Sequence, residues 1–350
     1  MNLECAAHSP EELRFLRDVV ADLAGTSPKY TYANWLDSQG DLARAKFMRD
    51  YANAYSALDS MLMPDLNLVP ALWSRIVGAT VLKSMLEYIT PTNREQLRVL
   101  VDRIFGLVRP ALSLCYDEQN DVDRTYNPPI GRSFLFGYPD LPTGTAWPTF
   151  SDCLTFTVGD WEFPGDDPCR FIGQLNLSDI AGAVVADRLP SSGLLSFFAN
   201  IETEEYGTFS ICVKHTSLPT ELFRAKPPSN TRADNLPVTP RKLTLTEQLS
   251  LPDYADSPWE NRLRIDEFGD LGVRIYKKAC AAGCTDWHLG FFGHLHGTTG
   301  SDPSPDCEHL RFASIRVSAD AGIAHLAIRE SDLRECRTVA LKYVWLDWDS

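Results

Sequence analysis

Cys280, Cys284, His288, His294, His296, Cys307 and His309 gather thiols and imidazoles in one stretch, the donor types from which a tetrahedral zinc site is built. Their spacing argues against such a site. C-x-x-x-C followed by H-x-H and C-x-H is not a standard ligand pairing, and buried cysteines beside loop histidines produce the same mixture. The expectation is therefore no stoichiometric zinc and no other cofactor. Nucleophilic catalysis needs a serine or cysteine next to a base, and the chain shows neither a nucleophile elbow nor a Cys-His signature. It also lacks the glycine-rich loops that cradle nucleotide phosphates.

Asp160, Glu162, Asp166 and Asp167 are the carboxylates that could form a hydrolytic pair or hold a hard cation. Their setting, GDWEFPGDDP, has none of the fixed alternation of a calcium loop and reads as an exposed acidic loop carrying Trp161 and Phe163. Tryptophan ringed by charge is how interface anchors look, and it is also how a core residue flanked by surface looks; both readings of Trp161 stay open. The acidity is local. Residues 126 to 210 hold Arg132, Arg170 and Arg188 against 11 acids, whereas residues 1 to 125 hold 13 Lys and Arg against 17 acids, within a total net charge of -14. Such a field repels nucleic acid and anionic membranes and steers basic partners inward, unless it is only a solvated face. The candidate partner-binding residues are Asp160, Trp161, Glu162, Asp166, Asp167, Glu202, Glu204 and Glu205, with no catalytic residue and no metal ligand assigned.

These residues must be carried by a scaffold, and its front reads as helices. Ser9-Pro10-Glu11-Glu12 supplies an N-cap, a first-turn proline and a capping glutamate, and Leu13, Leu16, Val19, Val20 and Leu23 share one face up to Gly25. This predicts a helix over 10–24. Further helices are expected over 30–38, stopped by Gly40, from an Asp41 cap through Leu58, over 72–88, and from a Thr92 to Glu95 capping box to Val108. Residues 1 to about 118 thus read as all-α.

At Tyr126-Asn127-Pro128-Pro129 the texture changes to short apolar runs punctuated by Pro, Gly and aromatic residues, the mark of a β-rich region. Between residues 224 and 261 six prolines lie among polar residues, which predicts a long exposed connection. FIGQLNL then GLLSFFAN has a counterpart in LRFASIRV then GIAHLAIR, the pattern of two related halves or of two ordinary hairpins.

The expected fold class is α+β: a helical domain over 1–125, then a β-rich domain over 126–350 with the Pro-rich connection inside it. A chain of 350 residues fits two such domains. The charged first 25 residues leave no room for the apolar core of a signal peptide, and no run approaches a bilayer-spanning length. Nine scattered cysteines do not form a secreted disulfide framework. A cytoplasmic location with reduced thiols is expected.

Two stretches resemble known families. EELRFLRDVVAD and YTYANWLDSQGDLARAKFMRDY, over about residues 9–53, resemble a short repeat-companion domain at the N-terminus of many bacterial proteins, with Asn34 where that family usually has aspartate. From about Pro128 onward, GYPDLPTGTAWP, FIGQLNLSDI, LPSSGLLSFF and ADAGIAHLAIRESDLRECRTVALKYVW resemble the YwqG-like family. The residues of these motifs read structurally. Leu141-Pro142 and Trp147-Pro148 fix extended geometry, Trp147 can pin its loop, and the Gln174 and Asn176 amides alternate with apolar positions where they can satisfy loop backbone.

The YwqG-like resemblance implies company with secreted polymorphic toxins. The expected function is therefore that of a non-enzymatic immunity protein that binds and occludes a basic toxin or effector, possibly a nuclease, in the cytoplasm. The alternatives are an enzyme that uses the acidic loop or the Cys/His cluster, and a protein-interaction scaffold.

Overall fold

The helix α1 (Pro10–Ala21) opens on Ser9, whose hydroxyl accepts from the Glu12 N–H at 3.1 Å, with Pro10 in the first turn. A computed structural model describes residues 2–3, 8–115, 126–156, 166–201, 209–218, 221–229, 231, 239–251, 263–283, 289–292, 309–316, 323–329, 331–332 and 343–347. After α1 come α2 (Ser27–Ser38), which Gly40 ends with a φ of 80°, and α3 (Leu42–Ala57), capped by Asp41. The expected helix over 72–88 is two helices, α4 (Ala71–Ile76) and α5 (Ala79–Leu86). The break is Gly78, at φ 81°, where a Cβ would come within 3.0 Å of Leu23 and 3.2 Å of the Tyr51 hydroxyl. Helix α6 (Arg94–Leu107) starts one residue later than the Thr92 cap predicts. Asn93 stands at its N-cap, and the Asn93 Oδ1 accepts from the Thr90 N–H at 2.7 Å.

The helical run stops at Leu107, earlier than the sequence suggests. Residues Arg109–Cys115 form strand β2, and the short β1 (Asn2–Leu3) precedes all the helices. The remaining strands are β3 (Phe134–Leu135), β4 (Asp140–Pro142), β5 (Leu154–Phe156), β6 (Arg170–Asn176), β7 (Leu194–Ile201), β8 (Phe209–Thr216), β9 (Leu222–Arg224), β10 (Arg241–Lys242), β11 (Thr244–Ser250), β12 (Leu289–Phe292), β13 (His309–Arg316), β14 (Ile323–Arg329) and β15 (Tyr343–Asp347). Helix α7 (Gly269–Gly283) lies between β11 and β12 in the chain.

Two larger sheets result. One runs β1-β11-β2-β12-β13-β14-β15, antiparallel except for the β1–β11 pair, and the other runs β10-β3-β6-β7-β8-β5, antiparallel throughout; β4 and β9 form a separate ribbon. The fold is therefore α+β, a helical front followed by a β-rich region of antiparallel sheets. Within the expected exposed connection over 224–261, residues 241–251 are instead built into the sheets, while residues 230, 232–238 and 252–261 lie outside the described residues. Residues 241–251 contribute β10 and β11, and Leu243, Leu245, Leu249 and Leu251 are buried.

Alternation on the strands builds a core between the two larger sheets. Leu195, Phe197, Ala199, Ile211 and Val213 of one sheet pack with Leu112, Leu245, Leu326 and Ile328 of the other. The helices bury a second core that includes Trp73, Tyr32, Phe47 and Leu100 and extends to Leu249, Leu251, Ile275 and Tyr276. A third, smaller core holds Phe134, Phe171, Phe198, Cys169 and Cys212 under the loop of Trp147. The two patterned stretches both prove to be antiparallel pairs, β6–β7 and β13–β14. Each carries a bulge early in its first strand, between Phe171 and Gly173 and between Arg311 and Ala313.

Candidate functional site

Asp140 is fully buried at the start of β4, and three residues donate to its carboxylate. Arg224 of β9 donates through Nε to Oδ1 at 2.6 Å, the Gly131 N–H donates to Oδ2 at 2.8 Å, and the Gln174 amide donates to Oδ2 at 2.7 Å. Gln174 also accepts from the Asp140 N–H at 2.8 Å and donates to the Arg132 carbonyl at 2.7 Å. The Arg224 guanidinium reaches the Pro128 carbonyl at 2.9 Å and lies 4.9 Å from the centre of the Phe134 ring. Next along β6, Asn176 donates to the Gly131 carbonyl at 2.7 Å, and the Ser133 hydroxyl accepts from the Asn176 N–H and donates to Asp179. The loop over 128–142 is thereby fastened to β6. Buried charge is tolerated only when paired and hydrogen-bonded, and here it is both.

Trp147 pins its loop as its type suggests. The indole N–H donates to the Cys169 carbonyl at 2.7 Å, and the ring meets Phe198 edge-on at 5.6 Å. The same core holds three thiols the sequence reading did not connect: Cys169 and Cys212 are buried and Cys153 is half-buried. The nearest signal was strand register, since Leu154 pairs with Ile211 and so brings Cys153 toward Cys212.

Of the candidate partner-binding residues, Asp166 is exposed and Asp167 half-buried, with the Asp167 carbonyl accepting from the Phe150 N–H at 2.8 Å. Asp160, Trp161, Glu162, Glu202, Glu204 and Glu205 lie outside the described residues, so their convergence with Asp166 is not on view. Of the Cys/His cluster, Cys280 is half-buried on α7 and His309 begins β13; Cys284, His288, His294, His296 and Cys307 lie outside the described residues. Among the described residues no group of three His, Cys, Asp or Glu side chains is placed to hold a metal ion. No helix among them is long and apolar enough to cross a membrane.

Where the helical front meets the sheets, a cavity of about 490 Å³ is lined by Arg17, Arg109 and Arg188 with Asp187 and the apolar Val20, Val108 and Val184. Arg17 donates to the Val184 carbonyl at 3.0 Å and faces Asp187 at 3.5 Å, while Arg109 donates to the Gly106 and Val108 carbonyls at the end of α6. Among the described residues, the charged side chains of its lining are those of Arg17, Arg109, Arg188 and Asp187.

Beyond Val184, the carboxylate of Glu247 is buried on β11. Its Oε1 accepts from the Val184 N–H, and burial pushes its pKa up against the opposing pull of that bond and of His8 and Arg17. A second buried carboxylate, Glu12 of α1, behaves oppositely. Burial pushes it up, but hydrogen bonds from His8 and Tyr32 and the charge of Arg44 outweigh burial and bring it down to about 2. The Tyr32 hydroxyl donates to Glu12 at 2.6 Å and accepts from the Trp73 indole at 3.0 Å. These groups join α1, α2, α3 and α4.

The molecule is thus of a general class, antiparallel sheets faced by a helical front, whose motif side chains fasten loops to strands. Residues 133–257 match the model of a family described as Domain of unknown function (DUF1963), consistent with a YwqG-like domain over that segment. No curated protein matches the chain.

Proposed function

We propose that this chain is a non-enzymatic binding protein, an immunity protein that occludes a basic toxin or effector acting in the cytoplasm. The observation that carries the reading is the fate of the polar side chains in the DUF1963 segment. Asp140, Gln174, Asn176, Ser133 and Arg224 bond to one another and to loop backbone, which suits a rigid binding platform. The local excess of acid over 126–210 supports a basic partner, and the company that YwqG-like relatives keep supports a toxin. The contact surface in this reading is Asp160, Trp161, Glu162, Asp166, Asp167, Glu202, Glu204 and Glu205. The helical front, which resembles a repeat-companion segment, is a second platform on the same molecule.

Binding kinetics with a basic toxin encoded beside this chain test the proposal. Reversing Asp160, Glu162, Asp166 and Asp167 together slows association and flattens its salt dependence, because rim charges act mainly on encounter. Trp161→Ala speeds dissociation by an amount worth about 2 kcal/mol while leaving the melting temperature unchanged. Unchanged rates in a folded charge-reversed variant would remove this surface from the interface.

A further inference from the structure

The three thiols of the small core are arranged for chemistry that the binding function does not use. The Cys153 and Cys169 sulfurs stand 2.9 Å apart, closer than two sulfurs that merely pack, and a thiol–thiol hydrogen bond also joins Cys153 to Cys212. The backbone already holds the first pair together. The Phe150 N–H donates to the Asp167 carbonyl and the Cys169 N–H to the Pro148 carbonyl, each at 2.8 Å, and Thr149 bridges Pro168 in antiparallel fashion. We propose that Cys153 and Cys169 form a reversible disulfide under peroxide, a modification site in which Cys212 remains a thiol.

The three sulfurs are not equivalent. Cys153 is half-buried, just ahead of β5, and is the least enclosed of the three residues, whereas Cys169 and Cys212 are buried. The contact with Cys153 and burial hold the Cys212 thiol far above its ordinary pKa, so Cys212 is not an attacking thiolate. Oxidation begins when the Cys153 thiolate attacks one oxygen of hydrogen peroxide. The O–O bond breaks, the departing hydroxide takes up a proton as water, and Cys153 becomes a sulfenic acid. The Cys169 sulfur, losing its proton, then attacks the Cys153 sulfur. The S–S bond forms, the S–O bond breaks, and the oxygen leaves as a second water. Two thiols are oxidised and one peroxide is reduced to two waters. In a reducing compartment such a bond is transient and serves sensing, not structure.

The bond would tie together the ends of the segment that carries Asp160, Trp161, Glu162, Asp166 and Asp167. That consequence for partner binding rests on the proposed function; the disulfide does not. The test uses the whole 350-residue chain, oxidised with hydrogen peroxide, blocked with N-ethylmaleimide and digested without reductant by a protease that cuts before aspartate. Asp160, Asp166 and Asp167 place the two cysteines on separate peptides, so a disulfide appears as a linked pair two hydrogens lighter than its parts and divided by dithiothreitol. The linked pair is expected in the wild-type and in Cys212→Ser, and is lost in Cys153→Ser. Cys153 recovered as a sulfinic acid without a link, a dominant link to Cys212, or blocked thiols at both Cys153 and Cys169 after peroxide would each overturn the proposal. The wild-type map decides this by itself, so it stands even if a variant fails to fold.

Discussion

Glu12 shows how a single side chain holds the helical front together, and its charge is the reason. The carboxylate receives the Tyr32 hydroxyl at 2.6 Å and the Arg44 guanidinium at 2.5 Å, both from other helices. Removing that charge with Glu12→Gln weakens two charge-assisted bonds in a buried setting and is expected to cost about 2 kcal/mol in urea unfolding. The pH dependence has a definite sign. The folded pKa is depressed to about 2 from 4.5, so the charge contributes in full above 4.5 and the contribution is lost as pH falls toward 2. The gap between wild-type and variant should therefore close across that window, and a gap that stays constant down to pH 2.5 would assign the cost to something other than ionisation. Some residue roles were legible in the sequence. The alternation of Gln174 and Asn176 with Ile172, Leu175 and Leu177 pointed to amides that serve loop backbone, and they do. The Asp140–Arg224 pair was not legible, because its members stand 84 positions apart and meet only through the β4–β9 ribbon.

At the scale of elements, caps and glycines were readable and strand partners were not. Ser9, Asp41 and Gly40 set helix ends where their chemistry places them, and Gly78 divides a helix that periodicity alone would run through. Residues 241–251 were misread as part of an exposed connection because the prolines around them drew attention from a two-residue alternation, Leu243, Leu245, Leu249 and Leu251, with the buried Glu247 on the same parity. The correction has a direct consequence for proteolysis. Under native conditions, cleavage after Glu247 by a glutamate-specific protease, and after Leu245 or Leu249 by chymotrypsin, should lag behind cuts at exposed loops, since β11 pairs with β2 along its whole length, with β1 at Thr244 and Leu245, and these three side chains are buried. Early fragments that end inside Thr244–Ser250 would contradict the pairing.

For the whole molecule, composition and periodicity conveyed the class, helices first and sheets after, while the layering depended on contacts that no local pattern carries. Strand β2 belongs in sequence to the helical front, yet it pairs with β11 on one edge and β12 on the other. A chain ending at residue 125 therefore retains α1 to α6 but leaves both edges of β2 open and exposes the helical core where Leu249, Leu251, Ile275 and Tyr276 cover it. Such a fragment is expected to self-associate at micromolar concentration, with a lower and broader thermal transition than the intact chain. A monomeric fragment on size exclusion with a sharp helical melt would show that the front stands alone.

The position of β2 also sets an order of events during synthesis. The six front helices leave the ribosome early and can pack by local contacts, but β2 has to wait for β11, whose first residue, Thr244, pairs with Cys115. At roughly 5–20 residues per second, that interval lasts on the order of ten seconds. Throughout it β2 lacks both strands that pair with it, so its two edges stay open to other chains before its own sheet exists.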